Sequence, residues 1–269
     1  MRYLERYKLQ INANIFAMAP KQDTLDDIIQ SEYGLTANAA KKYGDYFTNA
    51  LEFNELLQTF TESVDASRHI FAAFLSQVRK HLTLAILSTV RLHHIQTTMN
   101  VRQALEAGLC AAYAIANPEQ EGFVLPDENG YLTAPQELIG KRNKWLEENF
   151  PKGPDAIKNL KGLINKNTAH ANLIYAYQNF DFDKESGKFH TPFFDIEKEH
   201  LVKTDLWEIA NIAMGLMDLF YGIDKNIGSI KFIDDFIPRL HKLEADNLRL
   251  KKEMQAFLDQ RIKNHTKAS

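Results

Sequence analysis

The segment of this chain best suited to chemistry sets a histidine among amides and cations. Asn165-Lys166-Asn167-Thr168-Ala169-His170 follows a stretch carrying Lys158 and Lys161. From Lys141 to Lys166, seven lysines and arginines stand against three acidic residues. An imidazole beside such cations is what metal-independent RNA cleavage requires. The ring takes the proton of a 2′-hydroxyl or protonates the leaving oxygen, and the cations offset charge on the phosphate. On this reading His170 is the acid or base and Asn167 orients groups around it, while Asn165, Lys161 and Lys166 contact the substrate. A lysine-rich solvated helix with a structural histidine accounts for the same residues.

A second constellation is Arg102 and Glu106, one helical turn apart. They precede Ala107-Gly108-Leu109-Cys110-Ala111-Ala112, which has no polar face. Charges are costly to bury unless paired. Either the two form an ion pair that fixes how the helix docks, or they line a polar pocket and join the catalytic set. The remaining candidates are thinner. Glu197-x-x-His200 has the spacing of half a di-iron site but sits in an acidic run that a solvated helix start explains. His93 and His94 are adjacent and point to different sides, so they are not a metal pair. His81 and His93 fall near an apolar stripe and read as satisfied core histidines. The chain contains no phosphate-loop, dinucleotide-binding, zincin or nucleophile-elbow motif. No metal and no cofactor is expected.

The bulk numbers frame these residues. A chain of 269 residues with net charge −3 gives no global reason to bind nucleic acid, though a local basic face remains open. Hydrophobic content of 45% with 25% charged residues is that of a globular protein. The single cysteine, Cys110, excludes an internal disulfide and fits a reducing compartment. Neither a signal-like leader nor a membrane crossing is expected, which points to the cytoplasm.

The elements that must hold these residues are read from spacing. Tyr43, Phe47, Ala50, Leu57, Phe60 and Val64 form one helical stripe. Ile70, Phe71, Phe74, Leu75, Val78, Leu82, Ala85, Ile86 and Val90 form another, with Asp65 to Ser67 as the capped turn between them. Asn100 with Gln103 reads as the N-cap of a helix running to Ala116, ended by Pro118. Residues 119–133 read as a loop. Thr133 with Gln136 predicts a cap for a helix to about Asn149, and another helix is expected from Asp155. Phe180 to Phe194 is the one plausible β element, and Leu206 to Phe220 a further core helix. From Phe236, apolar positions recur in steps of four and three. That heptad places Leu240, Asn247 and Met254 at a and Leu243, Leu250 and Phe257 at d. It predicts a homodimer in which two copies of Asn247 meet, unless the helix packs back on its own domain.

The expected architecture is all-α: a helical bundle with a long C-terminal coiled-coil-like helix and at most one small β-hairpin. It divides into an N-terminal helical segment (1–64), a core bundle (65–228) and a dimerisation helix (229–269).

"VRQALEAGLCAAYAI" (101–115), followed by "NLKGLINKNTAHANLIYA" (159–176), resembles a large bacterial domain family of unknown function. That family pairs an Arg-x3-Glu helix with a later Asn-or-Ser and His segment, and the resemblance spans roughly 65–225. At longer range the arrangement is similar to the HEPN superfamily, helical homodimers that include metal-independent ribonucleases. In their signature an arginine precedes the histidine by four to six residues. Here Asn165 stands at the arginine position and Lys166 one place later. The resemblance implies RNA or a nucleotide as ligand, as in a toxin or phage-defence component. A non-catalytic scaffold or partner-binding homodimer is the alternative.

Overall fold

A computed structural model describes residues 17–18, 24–150, 180–183 and 188–268. Helix α1 (Leu25–Ala37) opens with a reciprocal cap, Asp27 N–H donating to Thr24 Oγ1 at 3.2 Å and Thr24 N–H to Asp27 Oδ2 at 3.0 Å. The stripe from Tyr43 to Val64 is not one helix. It divides into α2 (Ala39–Tyr43), α3 (Asp45–Thr59) and strand β2 (Thr61–Val64). Gly44, at φ +56°, makes the first break in a region that favours glycine. The second break follows from pairing: β2 lies antiparallel to β7 (Ile230–Phe232), and Ile233 N–H continues the connection to Phe60 C=O at 3.1 Å.

Asp65 caps the turn as expected, accepting from Ser67 N–H at 2.8 Å. Helix α4 (His69–Val90) follows the second stripe residue for residue. Helix α5 (His94–Ala116) begins six residues before the predicted cap. Asn100 is therefore inside it, bonded to Gln96 C=O at 2.9 Å and to His81 Nδ1 at 2.9 Å. The true start is capped from afar, by the Asp195 carboxylate on His94 N–H. Strand β3 (Leu125–Pro126) and strand β4 (Leu132–Thr133) form a hairpin around the Asp127–Gly130 turn, so Thr133 belongs to a strand and α6 (Leu138–Asn149) starts after it. The expected hairpin between 180 and 194 is present as β5 (Asp181–Asp183) and β6 (Lys188–His190), with β1 (Ala17–Met18) parallel to β6. The β2/β7 and β3/β4 pairs stand beside it. Both are too short for an alternating pattern to show in the sequence.

Helix α7 (Glu199–Asp224) runs through the middle of the bundle and packs against α3, α4, α5 and α8 (Phe236–Ala268). It and the segment Ala66–Val90 reach the length and mean hydropathy, 1.2 and 1.3, of a membrane span. Their apolar residues enter the core of this chain. Phe60 is the aromatic node of that core, 6.4 Å from Phe220, 5.9 Å from Phe232 and 5.5 Å from Phe236. Full burial of each such ring is worth about 1.5–3 kcal/mol. Phe53, Phe220 and Phe236 share one cluster, so the three expected segments meet in a common core. The connection from α7 to β7 is held by the buried Asp224 carboxylate, which accepts from Ser229 N–H at 2.9 Å and Ile230 N–H at 3.1 Å.

The heptad face of α8 is engaged within the chain. Leu240, Leu243, Asn247 and Leu250 are buried, Asn247 to 3% exposure. Asn49 Nδ2 donates to Asn247 Oδ1 at 3.0 Å, Asn247 Nδ2 to Asn211 Oδ1 at 3.3 Å, and Trp207 Nε1 to Asn247 C=O at 2.9 Å. Thr204 Oγ1 meets Met254 Sδ at 2.8 Å, and the Phe257 ring lies 5.5 Å from that of His200. Beyond Phe257 the heptad loses its apolar character, with Arg261 at a and Asn264 at d. The repeat is as long as the side of the bundle it covers.

Candidate functional site

The site is built on α5. Its partner α4 turns into it through Leu92, whose φ of +62° is unusual for a side chain larger than glycine. A residue held there costs roughly 1–3 kcal/mol unless its surroundings compensate. Here they do: His93 N–H bonds back to Ser88 C=O at 2.9 Å, and Leu92 C=O accepts from Asp195 N–H at 2.9 Å. His93 then sits between Phe193 and Phe194, at 5.2 and 5.6 Å, with Nε2 2.9 Å from Glu32 of α1. Arg91 reaches the same Glu32 at 3.8 Å. His81 and His93 are thus satisfied within the bundle, as their positions predicted.

From His94 the polar residues of α5 recur at steps of four: His94, Thr98, Arg102, Glu106, Cys110. Each step advances about 40° beyond a full turn, so these residues form one slanted ridge. It runs beside the buried face of α5, which carries Val101, Ala104, Leu105, Ala107 and Leu109, while Gln96, Met99 and Gln103 are exposed. At the first position, His94 Nδ1 lies 2.9 Å from Asp205 Oδ2 of α7. In the middle, Arg102 Nε lies 3.4 Å from Glu106 Oε1, both side chains 36% exposed. At the last, Arg142 Nη1 donates to Cys110 Sγ at 3.2 Å.

Arg102 and Glu106 are therefore brought together and open to solvent. An ion pair that exposed contributes little to stability, about 0–1 kcal/mol. The expected sites His170, Asn167, Asn165, Lys166 and Lys161 lie outside the described residues, as does the helix expected from Asp155. The basic stretch from Lys141 is partly compensated on α6 itself. Lys141 pairs with Glu137 at 2.8 Å and Lys144 with Glu148 at 3.9 Å. The Lys141 hydrogen bond holds the Glu137 carboxyl below the usual range, and Glu137 raises Lys141 in turn. Among the described residues, no group of three His, Cys, Asp or Glu side chains is arranged to hold a metal.

Two members of the ridge, Arg102 and Glu106, are marked as site residues by their charge beside an apolar stretch, whereas His94, Thr98 and Cys110 are marked only by their spacing. The signal was available, since five polar residues at a constant spacing of four mark one helical ridge. Taking Asn100 as the helix start hid the first turns of it. Arg142 had no signal of its own, because nothing in a charged helix tells which arginine turns inward. Comparison with protein-family models, curated proteins and solved structures returns no match.

Proposed function

We propose that this chain is a phosphate-directed helical module acting in the cytoplasm, away from any membrane, as a HEPN-like metal-independent ribonuclease or nucleotide-binding component of a toxin or phage-defence system. The observation that carries the reading is Arg102 with Glu106: a charged, solvent-reachable pair on α5 directly before its apolar stretch Ala107–Ala112. Surface pairs of this kind add little stability, which leaves ligand contact as the stronger account of a charge set on this helix. In the mechanism, His170 exchanges the proton with the 2′-hydroxyl or the leaving oxygen. Arg102 and Lys166 offset the charge that develops on the phosphate, with Glu106 orienting the Arg102 guanidinium. Asn167 fixes the reacting groups, and Asn165 and Lys161 contact the flanking substrate.

The test incubates purified wild type, His170→Ala and Arg102→Gln with end-labelled total RNA and tRNA in chelator, read on denaturing and native gels. Cleavage that falls by about 100-fold or more in His170→Ala is the expected result, in keeping with a lost acid–base group. Binding without cleavage leaves a nucleotide-binding module. The absence of both binding and cleavage overturns the RNA reading for these substrates.

A second reading, a non-catalytic scaffold acting as a homodimer, draws support from α8. The helix continues for eighteen residues past Leu250, the last buried side chain among its described residues, and Phe257 remains 44% exposed. Because the heptad positions up to Met254 are already engaged, the pair forms along the outer turns around the part-exposed Phe257. Phe257→Asp then halves the mass seen by sedimentation while leaving the helix content intact.

A further inference from the structure

We propose that Arg142 anchors a binding site for a phosphate-type oxyanion at the junction of α5 and α6. The proposal rests on the phosphate-directed reading only for the identity of the anion. Its physical ground is separate. The Arg142 side chain is enclosed, with the residue 3% exposed. Its partners are a neutral amide and a thiol: Nε and Nη2 donate to Asn143 Oδ1 at 3.1 and 2.9 Å, and Nη1 to Cys110 Sγ at 3.2 Å.

Among the described residues no carboxylate pairs with Arg142. Along the two helices Glu106 pairs with Arg102, Glu137 with Lys141 and Glu148 with Lys144, and Glu147 is engaged as well. A buried lysine could escape the cost of its charge by losing a proton, but a guanidinium cannot. A buried, unbalanced cation is strongly unfavourable unless a counter-charge arrives. With three of its five N–H groups engaged, two donors remain, the number that a phosphate or carboxylate oxygen pair accepts. Arg102, paired with Glu106, stands two turns before Cys110 on α5, about 12 Å along that helix axis.

The experiment follows thermal unfolding of the full chain at constant ionic strength, exchanging chloride for inorganic phosphate up to about 50 mM, the range of a weak millimolar site. Wild type is expected to gain stability saturably. Arg142→Met is expected to be indifferent to phosphate, and more stable than wild type in chloride, because the unbalanced charge is gone. The ranking of the two proteins therefore inverts as phosphate is added. Arg142→Lys, which keeps the charge but not the fork, retains a response shifted to roughly tenfold higher phosphate.

A wild type that ignores phosphate overturns the proposal. So does a methionine variant that responds as wild type does, or one that unfolds or is weaker at every phosphate concentration, which marks a purely structural arginine. The two readings separate cleanly. Phosphate inversion without RNA binding keeps the anion site and removes the RNA assignment. RNA cleavage without inversion does the reverse.

Discussion

Replacing Asn247 by leucine removes an amide that serves two others, Asn49 and Asn211, inside the α3–α7–α8 junction. Asn211 is exposed and turns to water, but leaving the buried Asn49 amide unsatisfied costs about 1–3 kcal/mol, more than the added apolar surface returns at a position shaped for an amide. Urea denaturation of Asn247→Leu should show that loss with no change in sedimentation mass. A change in mass would mean that the asparagine pairs between chains instead. Tyr46 makes the neighbouring link, its hydroxyl donating to Leu250 C=O at 3.0 Å. Burial, with Glu253 nearby, raises the Tyr46 pKa, while Arg249 opposes it. The folded state therefore favours the neutral phenol. Its contribution is whole below the unfolded tyrosine value near 10 and is lost as pH rises through the higher folded value. Stability measured between pH 8 and 11 should fall less steeply in Tyr46→Phe than in wild type.

At the scale of elements, the closest approach is that of α5 to α7 at Gly108. A methyl group there would lie 2.5 Å from Leu216 Cδ2 and 3.3 Å from its Cγ. Alanine gains about 0.5–1 kcal/mol in helix preference, but forcing the buried Leu216 aside costs about 1–3 kcal/mol. The clash wins, and Gly108→Ala should melt lower by a few degrees. The same element shows what a sequence can reveal. Helices whose faces are written in apolar spacing, α4 and the core of α7, were legible almost to the residue. Boundaries set by distant partners were not. The start of α5 depends on Asp195, about a hundred positions later, and the end of α3 on a ladder with β7. The heptad on α8 was legible as a pattern, yet a pattern of apolar steps does not say whose helices it meets. Of the site, Arg102 and Glu106 could be read from the cost of charge on an apolar helix, whereas the inward turn of Arg142 could not.

For the molecule as a whole, α8 is both a wall of the core and a projecting rod. Removing everything from Phe236 exposes Phe60 and Phe232 and should abolish cooperative unfolding. The bonds that seat this wall join residues 198 and 204 positions apart in the chain. That separation has a consequence for biosynthesis. While the ribosome is still making the middle of the protein, α3 can close upon α4, but the sides that α7 and α8 cover stay open until those helices have emerged. Nascent chains should therefore be held by chaperones until α8 has left the ribosome, which ribosome-bound chains stalled before and after α8 would show.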